Sequence, residues 1–159
     1  MIILDQVTKF WITLHIPRHY SISVVEGFFN LTHIRNPGVA FGLFASHESE
    51  YKVLFFVVTS IIAIIAILII FHQSPENKKA ARIGLILIFS GAVGNLIDRI
   101  VFKEVIDFLD FFYNGFHWPA FNIADSCITI GVSFMMYDLF FGYPEKTNIS
   151  NPPNKSEQL

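Results

Sequence analysis

Two carboxylates, Asp107 and Asp125, lie at the ends of apolar runs in a chain whose composition is typical of a membrane protein. Asp107 stands in the segment VIDF, just past one apolar run, and Asp125 stands in FNIAD, at the start of another. A carboxylate near lipid is costly, so such a residue indicates a functional role. Two that reach each other can share a proton and activate water. The pattern therefore predicts hydrolysis inside or at the edge of a membrane.

The composition supports a membrane location and excludes several other classes. Of the 159 residues, 53% are hydrophobic and only 15% are charged, whereas a soluble domain has about 45–50% and about 25%. A net charge of −2 without a basic stripe argues against a nucleic-acid partner. The single cysteine, Cys127, excludes an internal disulfide and a cysteine-based metal site, and we expect a packed thiol.

Apolar runs predict the helices that must position the two carboxylates. The run from Val53 to Phe71 carries no charge and would rise about 28 Å as a helix, enough to cross the hydrocarbon core. Further spans are predicted from about Ile83 to Phe102 and from about Phe121 to Gly142. The segment from Met1 to Ile16 barely spans a bilayer. It is either the outer half of a truncated first helix or an interfacial segment, and we favour the truncated helix. The fold class predicted is an all-α membrane protein, a four-helix transmembrane bundle.

A small β element is predicted between the first two spans, at about residues 19–45. Ser21 to Val24 and Asn30 to Arg35 alternate polar and apolar residues, the period of a half-buried strand. The turn residues Asn36, Pro37 and Gly38 follow. We therefore predict a membrane domain over residues 1–142, with a disordered polar tail over 143–159.

Polar residues gather on one side of the membrane if the spans alternate in direction. They are Asp5, Lys9, Asn36, Asn95, Asp98, Arg99, Asp107, Asn122 and Asp125. Such a gathering predicts a site. Lys and Arg divide evenly between the two sides, so their count does not give the orientation. The close-set Lys78, Lys79 and Arg82 favour a cytoplasmic location for that loop and for both termini.

Each of these groups also has a structural interpretation. Asn95 and Asp98 share a helix face with Gly91 and Arg99, which would equally be a packing face with a capping ion pair. Asn122 and Asp125 have the spacing of a helix N-cap. Asp5 and Lys9, four residues apart, fit a structural ion pair.

Other candidate groups are weaker. Asp110, three residues after Asp107, is a rival that spacing does not separate from it. Asp138 lies at the far end of the last span and is excluded from the site. His15 and His19 have metal-ligand spacing, but Pro17 between them breaks the helix that this spacing needs.

Five motifs in order resemble the lipoprotein signal peptidase (signal peptidase II) family. They are DQVTK at 5–9, NPGVAF at 36–41, GNLIDR at 94–99, VIDF at 105–108 and FNIAD at 121–125. The resemblance runs to about residue 142. One departure is that the family's first helix has roughly another half-helix of apolar residues before the first motif.

The resemblance implies a multi-pass peptidase of the bacterial plasma (inner) membrane, with an extracytoplasmic β subdomain and an active site on that side. It implies a monomeric aspartyl endopeptidase that cuts lipid-modified prolipoproteins before the diacylglyceryl-cysteine. Its partners would be these substrates and membrane lipid, and no metal or other cofactor is implied.

The resemblance also assigns residues. The family's catalytic pair falls on Asp107 and Asp125, which selects Asp107 over Asp110. Supporting and substrate-binding positions fall on Asn36, Gly38, Asn95, Asp98, Arg99, Asn122, Asp5 and Lys9. Two other classes remain alternatives: a small transporter with a proton relay, and a non-catalytic membrane scaffold, which would tolerate Asp→Asn substitutions at both positions.

Overall fold

The computed structural model describes residues 1–38 and 50–141. Its elements follow in the order α1 (Ile2–His15), β1 (Ser21–Val25), β2 (Phe29–Asn36), α2 (Glu50–Gln73), α3 (Lys79–Phe102), β3 (Val105–Tyr113), β4 (Phe116–His117) and α4 (Ile123–Phe141). The predicted tail at 143–159 and the last part of the predicted β element, at 39–45, lie outside the described residues.

Three of the helices are long and apolar enough to cross a membrane. They correspond to Lys52–Gln73, Lys79–Phe102 and Ile123–Phe141, which confirms the three predicted spans after the first. Helix α1 has 14 residues and rises about 21 Å, less than the roughly 30 Å of a hydrocarbon core. A membrane bundle of four spans and a truncated first span therefore stay predictions.

Glycines bring α3 and α4 into backbone contact. A Cβ atom on Gly84 would lie 2.6 Å from the carbonyl oxygen of Gly131, and one on Gly131 would lie 2.5 Å from that of Gly84. A Cβ on Gly91 would collide with the carbonyl oxygen of Ala124. These small residues therefore fix the close approach of two membrane helices, and they set the start of α4 beside the middle of α3.

The β element is larger than the sequence predicted. Four antiparallel strands are arranged in the order β1-β2-β3-β4, and two of them come from the segment after α3. Asp107, which stands just past an apolar run in the sequence, lies on β3 opposite Ile34 of β2, and this strand was not predicted. The run from Val105 to Tyr113 is rich in β-branched and aromatic residues, which favour a strand.

A small apolar core fixes the start of β3 against α1. Ile12 and Ile16 of α1 and Ile106 and Phe108 of β3 are buried together. Burying each such side chain contributes about 1.5–3 kcal/mol. Asp107, which lies between Ile106 and Phe108, is held at the end of the sheet nearest the helices.

Candidate active site

The Asp107 carboxylate is buried between two asparagine amides. It is 3% exposed. The Asn36 Nδ2 donates to its Oδ2 at 2.9 Å, and the Asn122 Nδ2 donates to its Oδ1 at 2.8 Å. Burial raises the pKa of Asp107 to about 6, and the nearby Asp125 charge adds to the rise against the effect of the two amides. Asp107 is therefore a carboxyl group that holds a proton closer to neutral pH than an ordinary aspartate.

Asp125 belongs to the first turn of α4. The Asn95 Nδ2 donates to its Oδ1 at 2.7 Å, and the Asn122 backbone N–H donates to its Oδ2 at 3.3 Å. In return the Asp125 backbone N–H donates to the Asn122 Oδ1 at 2.9 Å. This reciprocal pair is a capping box, so the structural interpretation of Asn122 and Asp125 is confirmed.

Asn122 also connects the two carboxylates. Its side chain donates to Asp107 while its backbone N–H donates to Asp125, so both aspartates are bonded to one residue. Asn122 is fully buried, and its Nδ2 also lies within hydrogen-bond distance of the Asn95 Oδ1 and the Ile106 carbonyl oxygen, each at 3.2 Å. Capping of α4 and alignment of the two aspartates are thus performed by the same residue.

A buried ionic cluster lies next to this pair. The Lys9 ammonium is 2.9 Å from both the Asp5 Oδ2 and the Asp98 Oδ2, and it donates to the Asn95 Oδ1 at 3.1 Å. All four side chains are buried. The predicted ion pair between Asp5 and Lys9 is confirmed, and it extends across helices to Asp98. Because Asn95 also donates to Asp125, the cluster and the aspartate pair are joined through Asn95.

The same cluster holds the backbone next to each aspartate. The Asp98 Oδ2 accepts the N–H of Ile106 at 3.1 Å, and the Asp5 Oδ1 accepts the N–H of Ala124 at 2.9 Å. Ile106 precedes Asp107 and Ala124 precedes Asp125 along the chain. Asp5 and Asp98, which share the Lys9 ammonium, therefore hold the two segments that carry Asp107 and Asp125.

Gly38 orients Asn36 toward Asp107. Its backbone N–H donates to the Asn36 Oδ1 at 2.9 Å, which leaves the amide nitrogen for Asp107. Gly38 has φ +84°, a conformation that glycine adopts at little cost. A Cβ atom there would also collide with the Phe56 ring. The later part of this motif, at 39–41, lies outside the described residues.

Arg99 is near the site without bonding to either aspartate. Its Nη1 donates to the Ser60 Oγ at 3.3 Å, and its guanidinium carbon lies 5.6 Å from the centre of the Phe56 ring. It therefore links α3 to α2. Of the predicted site residues, the structure brings the others into one bonded set: Asp5, Lys9, Asn36, Gly38, Asn95, Asp98, Asp107, Asn122 and Asp125.

Sequence reasoning missed Gln6, which bonds the ionic cluster, and the buried His33, which contacts the end of α1 instead. The Gln6 Nε2 donates to the Asp98 Oδ1, the Asp5 Oδ2 and the Gly94 carbonyl oxygen, each at 3.1 Å. His33 is buried, and its Nδ1 lies 2.7 Å from the carbonyl oxygen of Ile16. Gln6 lies inside the DQVTK motif, which was a usable signal. For His33, the sequence offered no signal beyond its place in a predicted strand.

The rival acids are engaged elsewhere. The Asp110 carboxylate accepts the Asn30 Nδ2 at 3.0 Å and lies 2.8 Å from the His117 Nδ1. Asp138 pairs with Lys78 at 3.4 Å, at the far end of α4. Within residues 1–38 and 50–141, no three His, Cys, Asp or Glu side chains are grouped to hold a metal ion.

Comparison with known proteins gives consistent matches over the described chain. The family model for signal peptidase (SPase) II matches residues 1–141. The lipoprotein signal peptidase of Desulforapulum autotrophicum is 49% identical over 141 residues, with 89% of this chain and 87% of the relative covered. That of Syntrophus aciditrophicus is 47% identical over 149 residues, with 92% and 91% covered.

Two solved structures share the fold. One, a bacterial membrane enzyme determined by the in meso method at 2.3 Å, aligns with a TM-score of 0.79 and 35% identity over 95% of this chain and 89% of that chain. A second, at 1.9 Å, aligns with a TM-score of 0.77 and 37% identity, with 89% and 88% covered.

Proposed function

Since this chain belongs to the signal peptidase II family, we propose that it is a membrane aspartyl endopeptidase that removes signal peptides from lipid-modified prolipoproteins. Cleavage would fall before the diacylglyceryl-cysteine. The observation that carries the proposal is that Asn122 bonds both aspartates. Its side-chain amide donates to Asp107 and its backbone N–H donates to Asp125. The names of the similar proteins, lipoprotein signal peptidases, support the substrate class.

Asp107 and Asp125 would divide acid and base roles between them. Burial raises the pKa of Asp107 to about 6, so we assign Asp107 the role of the acid and Asp125 the role of the base. The Asp125 carboxylate takes a proton from water as the water oxygen bonds to the scissile carbonyl carbon. The Asp107 carboxyl gives its proton to the carbonyl oxygen, which yields a neutral gem-diol.

The second half of the reaction returns both protons. The C–N bond breaks as Asp125 gives its proton to the leaving amine nitrogen, and Asp107 takes a proton back from the gem-diol. Both carboxyl groups then have their starting protonation. Asn36, Asn95 and Asn122 hold the carboxylates throughout, and the reaction uses no metal or other cofactor.

The membrane setting is part of the same proposal. The bonded polar set lies where α3 ends and α4 begins, beside the sheet. We place this end at the extracytoplasmic face of the bacterial plasma membrane, with the enzyme acting as a monomer. The acyl chains of the substrate would remain in the bilayer and present the cleavage site at the interface.

The test is a gel-shift assay of lipid-modified prolipoprotein cleavage in membranes. We expect Asp107→Asn and Asp125→Asn each to lower the rate by about 10²-fold or more, the range of general acid–base catalysis. Asp110→Asn is the matched control, because Asp110 lies on the same strand but bonds Asn30 and His117, and we expect it to cleave normally. Normal cleavage by either dyad variant, correctly inserted, would overturn the assignment of Asp107 and Asp125 as the catalytic pair. Absence of cleavage by the native chain would favour a non-catalytic scaffold.

A further inference from the structure

The end of the sheet furthest from Asp107 carries exposed aromatic side chains. Tyr113 and Phe116 are cross-strand partners in the β3–β4 hairpin and are 71% and 77% exposed. Phe28, in the β1–β2 turn, is 50% exposed. The two turns are joined because the Phe112 N–H donates to the Phe28 carbonyl oxygen at 2.9 Å. We call Phe28, Tyr113 and Phe116 the aromatic tip.

The aromatic tip rests on an ordered aromatic layer. Phe111 stacks on Phe29 with ring centres 4.6 Å apart and on Phe121 at 5.9 Å. Phe28 meets the Phe111 ring edge-on at 5.5 Å. The space beneath the tip is therefore filled, and the outer rings have no place in the core of the sheet. They need a partner outside the described fold.

Exposed apolar side chains are also found along β1, the edge strand next to the tip. Ile22, Val24 and Val25 of this edge strand are each about half exposed, and the strand carries no charge. An uncharged apolar edge strand in water is a site of aggregation. β1 follows α1, which leaves Trp11 and Leu14 exposed. Exposed apolar side chains are therefore present on α1, on β1 and at the two turns.

In the β3–β4 hairpin, the residues beside the aromatic tip lie on a polar face of the sheet. His117 pairs with Asp110 and stacks on Phe112 with ring centres 4.7 Å apart. A groove opens here, lined by polar residues that include Asp110 and His117 and by the apolar residues Ile34, Trp118, Pro119 and Ala120. Because side chains alternate between the two faces of a strand, Tyr113 and Phe116 point away from Phe112 and His117. The outer sheet therefore has a polar face and an apolar face.

We propose that the aromatic tip and the β1 edge lie in the headgroup region of the bilayer, so that the sheet docks on the membrane surface. Three helices are long and apolar enough to cross a bilayer, and aromatic side chains favour the bilayer interface. Segments 20–29 and 111–118 contain one acidic residue, Glu26, and no Lys or Arg. The docking is therefore apolar and does not need anionic lipid.

The experiment places a single tryptophan at the tip. Trp11→Phe and Trp118→Phe remove the two native tryptophans, and Phe116→Trp supplies the probe. The full chain is reconstituted in zwitterionic phosphatidylcholine bilayers with bromine atoms near the top of the acyl chains. We expect fluorescence about twofold lower than in unbrominated bilayers, with little further quenching by iodide in the water, as for an interfacial aromatic residue.

Two further variants keep the test decisive. Tyr113→Trp in the same background replaces the probe if Phe116→Trp does not fold. Trp118→Phe alone, which leaves Trp11 on the exposed face of α1, is the positive control for lipid quenching. Quenching by iodide but not by bromine would place the tip in water and overturn the proposal. Shielding from both would mean that protein covers the tip, which overturns it in favour of a second copy. The readout is fluorescence, so it is independent of the dyad assignment.

Discussion

Two pairs of carboxylates in this chain are each linked through one residue, and the difference lies in that residue. Asp5 and Asp98 are linked by the Lys9 ammonium at 2.9 Å from each. Asp107 and Asp125 are linked by Asn122, which is neutral. The lysine balances charge, and its two aspartates hold backbone N–H groups in place. The asparagine aligns its aspartates without supplying a positive charge, and burial raises the pKa of Asp107 to about 6. The charged Lys9 makes its pair of aspartates a structural anchor, whereas the neutral Asn122 leaves its pair suited to proton transfer.

We expect the largest loss of stability when the Lys9 ammonium, which anchors Asp5 and Asp98, is removed. Lys9→Met leaves Asp5 and Asp98 buried without a counter-charge, which costs about 3–5 kcal/mol of the free energy of unfolding. Denaturant unfolding in detergent measures this loss. Asp138→Asn is the control, because it breaks a partly exposed pair with Lys78 and should cost less than about 1 kcal/mol. Equal losses in the two variants would show that the cluster is not an anchor.

Removing the neutral linking residue should affect the reaction more than the fold. Asn122→Ala deletes the amide donor to Asp107 and the N-cap of α4. We expect a loss of about 1–2 kcal/mol in stability and a cleavage rate lower by about 10²-fold, as for the loss of a catalytic aligning group. Asn30→Ala removes the asparagine bonded to Asp110 and should leave the rate unchanged. A normal cleavage rate in Asn122→Ala would show that Asn122 does not align the aspartates for the reaction.

Gly38 allows a smaller test of alignment. Gly38→Ala strains a left-handed residue by about 1–2 kcal/mol and brings a Cβ against Phe56, which disturbs Asn36. We expect a rate about tenfold lower, because misplaced groups react slowly. Gly115→Ala is a matched control: its φ is +79° and nothing lies within 4 Å of a Cβ there. If both variants slow cleavage equally, backbone strain and not Asn36 is responsible.

The sequence predicted the helices and the polar set better than it predicted the sheet. The three long spans follow from uncharged apolar runs, a local signal. β3 does not, because an apolar run such as Val105–Tyr113 fits a buried strand or a helix end equally. Its pairing partner, β2, lies far away in the chain. Asp107 was therefore identified by its type and motif, while the strand that carries it was missed.

The links within the site were also out of reach of local patterns. The spacing of Asp5 and Lys9 predicted their ion pair, but not the bond from Lys9 to Asp98, which depends on how α1 packs against α3. Asn122 showed an N-cap pattern, and the cap is present. Its second role, as donor to Asp107, depends on the position of β3. Spacing finds partners on one element, and packing decides partners between elements.

The central claim is that Asp107 holds the exchangeable proton of the pair, and an infrared titration of its carboxyl group tests this most directly. The band of a protonated carboxyl should disappear as pH rises through about 6 in the native chain and be absent in Asp107→Asn. Because the folded pKa is above the unfolded value of 3.8, the folded state binds the proton more tightly. The free energy of unfolding should therefore fall as pH rises from about 4 to about 6. No titration near pH 6, or one that persists in Asp107→Asn, would contradict the account.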